Sequence, residues 1–369
     1  MNIKRVEISK IIIPSAKPLK ASLGKILGAE NVIIKIITEN ETCGWGEASP
    51  FSFITGDTIE TSYETAKKLA QVIKGKDALA IEQRMNEINL FIIGQPSIRS
   101  AFDMALYDIA AKSAGMPLYK FLGGERREIR TDLTIGWYDT VEETIEAAQD
   151  ILDAGFDAIK MKVGRPRLQD LPHVEAVRKL VGPLVHLKLD SNQGWDYPEA
   201  VANLNAMKNL NIQYSEQPLA VWDFDGLARL RRKVDTPICA DESIFDHHDA
   251  LKLIKLDAVD YLNIKLGKAG GITTGLKINA IAEAAGAKCM IGCFGESRLG
   301  LSASAHLAMA RPNIVFLDLD APYHFKEDPV IGGVEYDKNI GGLLHLPDTP
   351  GIGAEIDELY LEKGSKVVI

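Results

Sequence analysis

The sequence predicts an α/β fold: a modified TIM barrel of the (β/α)7β type preceded by an α+β capping domain. Two observations carry that prediction. Short apolar runs ending in a charged residue recur at a near-constant interval, with steps of 28, 26, 25 and 24 residues from Lys162 through Asp190, Glu216 and Asp241 to Lys265. Such an interval holds one strand, one helix and two loops, the unit of a parallel sheet wrapped in helices. Residues 1–125 lack this interval and instead alternate apolar and polar residues before turning to helical periodicity.

In the first region, MNIKRVEISKIIIP and ENVIIKIITENETCGWGEA read as antiparallel strands. KPLKASLGKILGAE between them reads as a glycine-containing loop, and FSFITGDTIET as a second loop turning at Gly56. Helices follow over 61–75, 81–93 and 97–115, the last starting at a Ser97 cap and stopping at Gly115. Residues 126–320 form the barrel. REIRTDLTIGW is its first strand, VEETIEAAQDILDAG its first helix and FDAIKMKVG its second strand. VHLKLD, IQYSEQ, PICADE, YLNIKL, CMIGCF and IVFLDLD complete eight strands, with 28 residues from Lys265 to Cys293 and 25 from Cys293 to Asp318. Residues 321–369 lose the interval, are rich in turn residues, and are expected to return to the capping domain.

With 369 residues and 46% apolar content, the chain can bury a large core in more than one domain. A net charge of −9 argues against nucleic acid and anionic membrane partners. No apolar run approaches the roughly 18 residues of a membrane span, and the start does not read as a signal peptide. Cys43, Cys239, Cys289 and Cys293 form no Cys-x-x-Cys pair and read as reduced thiols of a cytoplasmic protein. The oligomeric state stays open, a homo-oligomer included.

Asp190, Glu216 and Asp241 fall at three consecutive strand ends, and neighbouring strands lie about 5 Å apart. Carboxylates that close repel one another unless a cation sits among them. Oxygen donors from separate strands suit Mg²⁺, one ion per subunit. Acids that merely cap helix starts would explain one of these positions, but poorly explain three in register. Lys160 and Lys162 are two apart and share one strand face, which must be the barrel mouth because Ile159, Met161 and Val163 fill the layer under the helices. Like charges lower each other's pKa, as a lysine base requires. Lys265 stands four strands away and faces the same space from the opposite side. A substrate carboxylate on Mg²⁺ would have an acidified α-C–H. One lysine would remove that proton to form an enediolate, and the other would return a proton to the opposite face.

KMKVG, LDSNQGW, SEQPL, ADES and NIKLGKAGGI, with SAFDMALYDIAAKSAGMPLYKFLGG ahead of them, resemble the enolase superfamily in its muconate-lactonising subgroup. The resemblance runs over nearly the whole chain. It implies Mg²⁺ ligands at Asp190, Glu216 and Asp241, acid/base lysines at Lys162 and Lys265, and Lys160 beside the substrate carboxylate. The mandelate-racemase pattern, with a catalytic histidine on strand seven, does not match, since GCFGES has Cys293 there. VFLDLDAP places Asp318 and Asp320 on one face, resembling the Asp-x-Asp with which dipeptide epimerases hold a substrate's α-ammonium. A pair of carboxylates suits a cation.

The implied function is Mg²⁺-dependent epimerisation of a dipeptide at the α-carbon of its C-terminal residue. Thr134, Cys293, Phe294 and Gly295 are expected to line the pocket, with Asn192 and Glu242 supporting the metal ligands from behind. Ala-Glu epimerases carry an arginine in the first capping loop where this chain matches Gly24. A small or apolar second residue, as in Ala-Ala, is therefore expected; Lys20 or Lys25 would lack the bidentate fork of arginine. The competing readings on this scaffold are N-acylamino-acid racemisation and a succinylbenzoate-type elimination. A non-catalytic binding barrel is the alternative from another class, and the intact lysine pair argues against it. GKAGGITTG is no Walker motif. Adjacent His247 and His248 would point about 100° apart on a helix and are not expected to share a ligand. His306 reads as a packed helical histidine. The loops at 20–28 and 51–58 are candidate lids that exclude water.

Overall fold

The computed structural model describes residues 1–22 and 24–369, and the side chains of residues 18, 19, 25 and 26 lie outside that description. β1 (Ile3–Ala21), β2 (Gly24–Thr38) and β3 (Cys43–Ala48) form an antiparallel sheet, and Lys366–Val368 pairs with the free edge of β1. The segment read as a loop between the first two strands is instead a continuation of the hairpin, paired as far as Ala21 with Gly24. Apolar alternation stops at the register shift between Pro14 and Leu19, but ladder hydrogen bonds need only backbone, so polar and glycine-rich residues carry the pairing onward.

α1 (Ile59–Ile73), α2 (Ile81–Phe91) and α3 (Pro96–Ser113) cover one face of this sheet. Gly44 and Gly46 permit that packing, because a Cβ at either would lie 2.1 Å from Ala105 O or 1.9 Å from Ala101 O on α3. Ser97 does not cap α3. Pro96 is the first helical residue, needing no amide partner there, and the Asp57 carboxylate accepts the Ser97 N–H at 3.3 Å. α3 is also the seat of the cap on the barrel. Its Asp103 accepts from Thr273 N (2.9 Å) and Thr273 Oγ1 (2.7 Å) at the start of the helix Ile272–Ala284.

The barrel strands are β4 (Leu133–Ile135), β5 (Ala158–Lys162), β6 (His186–Asp190), β7 (Ile212–Glu216), β8 (Ile238–Ala240), β9 (Tyr261–Ile264), β10 (Lys288–Ile291) and β11 (Ile314–Leu317). All eight are parallel and follow sequence order, and a parallel bridge from Thr131 to Leu317 brings the last strand to the first. Alternation sends Ile159, Met161, Val163, Leu187 and Leu189 outward into the main core under the helices. The opposite faces fill the interior: Tyr214, Cys239 and Met290, with Tyr261 and Phe316, plug the barrel. Above that plug the register aligns Thr134 with Lys160 and Lys188, then Lys162 with Asp190 and Glu216. Charged side chains therefore collect in layers at the C-terminal ends of the strands. Among the described residues, no helix is long and apolar enough to cross a membrane.

Candidate active site

At the mouth, Lys160 Nζ lies 3.0 Å from Asp190 Oδ2, 2.9 Å from Glu216 Oε2 and 2.6 Å from Asp318 Oδ2. Lys162 Nζ donates to Asp190 Oδ2 (2.6 Å) and Asn192 Oδ1 (3.0 Å). Lys265 Nζ stands 2.9 Å from Asp241 Oδ2, on the far side of the mouth. All three lysines thus meet the acids predicted to hold a metal. The expected mutual lowering of lysine pKa is not what the structure gives. Burial pulls Lys160 down, but Asp190, Asp318 and Glu216 carry it well above the ordinary lysine range. Burial likewise lowers Lys265, and Asp241 more than reverses it. Neighbouring carboxylates outweigh the like charge two residues away.

The acids respond unequally. For Asp190, Lys160 and Lys162 overcome burial and hold the carboxyl at about 2. Burial and then Asp190 push Glu216 up to about 7, and burial with Asp241 and Asp190 pushes Glu242 up to about 8. Glu242 Oε2 is a buried acceptor without a hydrogen-bond donor, while Glu216 Oε2 and Asp241 Oδ2 are met only by the Lys160 and Lys265 ammonium groups, each at 2.9 Å. Asn192 Nδ2 donates to Glu242 Oε1 at 3.2 Å, which seats both residues behind Asp190. The turns after these strands hold non-glycine residues at positive φ: Asn192 (39°) and Gln217 (36°). Gln217 is locked in place because its Oε1 accepts from Asp241 N (2.9 Å) and Ser243 N (3.1 Å), tying the end of β7 to the end of β8.

Asp318 and Asp320 follow β11 and face the same pocket. Asp320 Oδ2 accepts the Thr134 N–H at 2.8 Å and lies 3.5 Å from His324 Nε2. Among the described residues, the carboxylates of Asp132, Asp318 and Asp320 bring their oxygens within 4.8 Å of one another, whereas Lys160 stands between Asp190 and Glu216. Outside the mouth, Asp246, His247 and His248 also converge within 4.8 Å, with ring centroids of the two histidines 4.1 Å apart. The 100° offset governs only where the side chains leave the helix His247–Lys255; beyond that the rings turn together, with His248 Nδ1 3.4 Å from the capping Asp246 Oδ1. His306 is packed as read: its ring stacks on Tyr119, Nδ1 accepts the Tyr119 N–H and Nε2 meets Ile352 O.

The roof comes from the capping sheet and the loop after β10. Cys293, Phe294 and Gly295 line the pocket together with Phe51, Phe53 and Ile54. The Phe51 and Phe294 rings stack at 5.5 Å, and Phe53 packs edge-on against Phe51 at 5.7 Å. Ser49 Oγ accepts the Gly295 N–H, and Asn31 Nδ2 donates to Gly295 O, so the capping sheet fixes this loop. Gly24 lines the pocket at φ 124°, a conformation that resists any side chain. Lys20 is drawn aside to Asp139 at 3.3 Å; the Lys25 side chain lies outside the described residues.

The sequence reading missed several members of the site. Lys268 Nζ donates to Asp241 Oδ1 at 2.8 Å, Asn263 Nδ2 donates to Glu216 Oε1 at 2.6 Å, and Lys188 Nζ donates to Asp132 Oδ2 at 2.7 Å. Asn263 and Lys188 precede Lys265 and Asp190 by two residues, so strand periodicity could have found both. Phe51 and Phe53 belong to the 51–58 loop expected over the site, although neither was singled out, and His324 comes from an irregular segment with no period to read.

Two family models match: the N-terminal domain of mandelate racemase / muconate lactonizing enzyme over residues 5–123, and the enolase C-terminal domain-like model over residues 143–360. The chain is 40% identical to the L-Ala-D/L-Glu epimerase of Bacillus subtilis, over 99% of this chain and 100% of that one. It is 40% identical to the hydrophobic dipeptide epimerase of Enterococcus faecalis, over 96% of this chain and 99% of that one. A solved dipeptide epimerase of Cytophaga hutchinsonii, complexed with Mg and the dipeptide D-Ala-L-Val, superimposes with a TM-score of 0.97 at 38% identity, over 100% of both chains.

Proposed function

This chain belongs to the mandelate racemase / muconate lactonizing enzyme family of the enolase superfamily, and from that premise we propose that it is a Mg²⁺-dependent dipeptide epimerase acting on the α-carbon of the C-terminal residue. The observation that carries the reading is the pairing of Lys162 and Lys265 across one mouth that also holds the Asp318–Asp320 pair. Two bases on opposite faces suit a 1,1-proton transfer, and two carboxylates suit a free ammonium.

Asp190, Glu216 and Asp241 are the residues assigned to hold Mg²⁺. The donor set fits a hard divalent ion: all carboxylate oxygens, from three strand ends, fully buried and balanced here only by cationic lysine groups. When bound, such an ion supplies the positive charge that acidifies a C–H next to a substrate carboxylate. Asp190 and Glu216 raise Lys160, and Asp241 raises Lys265, so with those acids engaged by an ion both lysines would lie nearer the ordinary lysine range. Lys162 and Lys265 then serve as the two acid/base groups, Lys160 orients the substrate carboxylate, and Asp318 with Asp320 hold the α-ammonium. Asn192 and Glu242 keep Asp190 and Lys162 in place. Thr134, Cys293, Phe294 and Gly295 shape the walls. Burial and Asp318 push the Cys293 thiol well up, so it acts as a neutral wall and not as a nucleophile.

For specificity, the apolar Phe51–Phe53–Phe294 roof and the absence of a cation beside Gly24 among the described side chains support a small or apolar second residue, as in Ala-Ala, over Ala-Glu. The test is incubation with Mg²⁺ and a mixed dipeptide library in deuterated water. A gain of one mass unit, concentrated in dipeptides with small or apolar second residues, is expected. A gain confined to N-acylamino acids, or a loss of water from an elimination substrate, would replace the dipeptide reading. A kcat/KM for Ala-Glu well above that for Ala-Ala would overturn the specificity.

A further inference from the structure

Beneath the Asp318–Asp320 pair lies a third carboxylate that does not reach the pocket. Asp132, just before β4, is fully buried, and its carboxyl oxygen comes within 4.8 Å of both aspartates above it. Its Oδ2 accepts from Lys188 Nζ at 2.7 Å, while its Oδ1 has no hydrogen-bond donor. Lys188 is itself buried, with Nζ 5.3 Å from the Phe316 ring centroid and 5.7 Å from that of Tyr214. Such a charge pair in an aromatic plug is costly to desolvate and adds little stability over an apolar pair. Its position under the acid pair gives it something else to act on.

The charges above the plug do not balance. Three carboxylates face Lys188 and Lys160, and Lys160 is shared with Asp190 at 3.0 Å and Glu216 at 2.9 Å. His324, 3.5 Å from Asp320, adds a further partner at the rim. Because Lys160 is divided among three acids, Asp318 and Asp320 are left with incompletely balanced negative charge, which a monocation entering from the pocket would offset. We infer that Asp132 is a positioning residue of the ammonium subsite: held by Lys188, it deepens the negative field at Asp318 and Asp320 and so selects free-amine dipeptides over uncharged or N-acylated analogues. The inference rests on the reading that Asp318 and Asp320 hold the α-ammonium. Burial, with Asp318 and Asp320 above, pushes the Asp132 carboxyl well up, and Lys188 at 2.7 Å is the contact that works against them to hold its charge.

The experiment compares L-Ala-L-Ala with propionyl-L-alanine, which has the same shape without the amine, in wild type and Asp132→Asn. The first is followed by KM and kcat, the second by its inhibition constant, all in the Mg²⁺-loaded enzyme. In Asp132→Asn the KM for Ala-Ala should rise at least about tenfold, the loss expected for one carboxylate removed at this range in a screened interior. The inhibition constant of propionyl-alanine should move less than about twofold, and kcat and Mg²⁺ affinity should stay within about threefold. A parallel weakening of both ligands, or no change in Ala-Ala, overturns the inference. Should the lone buried lysine prevent folding, the paired variant Asp132→Asn with Lys188→Gln removes it, and a selective loss of the same sign but smaller size is required there, since the opposite charge of the pair goes too. If wild type itself does not prefer Ala-Ala over propionyl-alanine, the ammonium reading fails. If wild type prefers it and both variants keep that preference, only the role of Asp132 fails.

Discussion

The barrel mouth and the capping roof face each other across one pocket and are built on opposite principles. On the barrel side, Lys160, Asp190, Glu216, Asp241 and Lys265 are buried and cross-linked by ion pairs, on strands whose register leaves them little freedom. On the capping side, Phe51, Phe53, Ile54 and Gly24 offer shape and apolar area, and the described Lys20 ammonium is held outside by Asp139. The contrast teaches where to look for each property. Chemistry that moves a proton needs charges held to within a fraction of an ångström, which parallel strands provide. Choice of side chain needs only a wall of the right size, which a loop and hairpin can change without disturbing the charges.

Removing the divalent ion should test the barrel side hardest. Chelation should cut epimerisation by about a thousandfold or more, the scale of several kcal/mol of charge stabilisation, with Mg²⁺ restoring it. Epimerisation unaffected by chelation would break the assignment of the three acids. Asp318→Asn should come next, lowering kcat/KM for dipeptides by about a hundredfold through loss of a buried charge-assisted contact; a near-normal rate would favour an N-acyl substrate. Phe51→Ala should raise KM for dipeptides with apolar second residues by about tenfold, the worth of a few buried methylenes. Its kcat should stay nearly unchanged, and a fall in kcat with KM constant would deny the division of labour between roof and floor.

The smallest effect falls outside the pocket and leaves activity at neutral pH untouched. Burial depresses the His306 pKa to about 4 from an ordinary 6.5. The unfolded chain therefore binds a proton at higher pH than the folded one, and the stability from a neutral His306 is lost as pH falls from about 6.5 to about 4. His306→Gln should flatten the decline in melting temperature over that window, by an amount equivalent to about 3 kcal/mol at most. An unchanged slope would show that other groups set the acid limb.

Much of the barrel side was legible in the sequence, because periodicity is physical: a strand repeats every two residues and a strand–helix unit sets the spacing of its charged ends. Asp190, Glu216, Lys162 and Lys265 follow from that alone. Lys160 was also visible, but its environment was not, since the three acids that surround it come from three other strands. Asp132 and Lys188 become partners only when the barrel closes and brings β4 and β6 around one interior. The roof was the least legible part. Phe51 and His324 lie in a loop and a short turn, and the hairpin beyond Pro14 pairs through backbone that carries no apolar pattern.

The most direct test of the central claim, two lysines acting on opposite faces of one α-carbon, is proton exchange by each lysine alone. Lys162→Ala and Lys265→Ala, loaded with Mg²⁺ in deuterated water, would each be given L-Ala-L-Ala and L-Ala-D-Ala. Neither variant should epimerise, and each should exchange the α-proton of one isomer only, the two variants choosing opposite isomers. Exchange of the same isomer by both variants, or epimerisation surviving in either, would contradict the account.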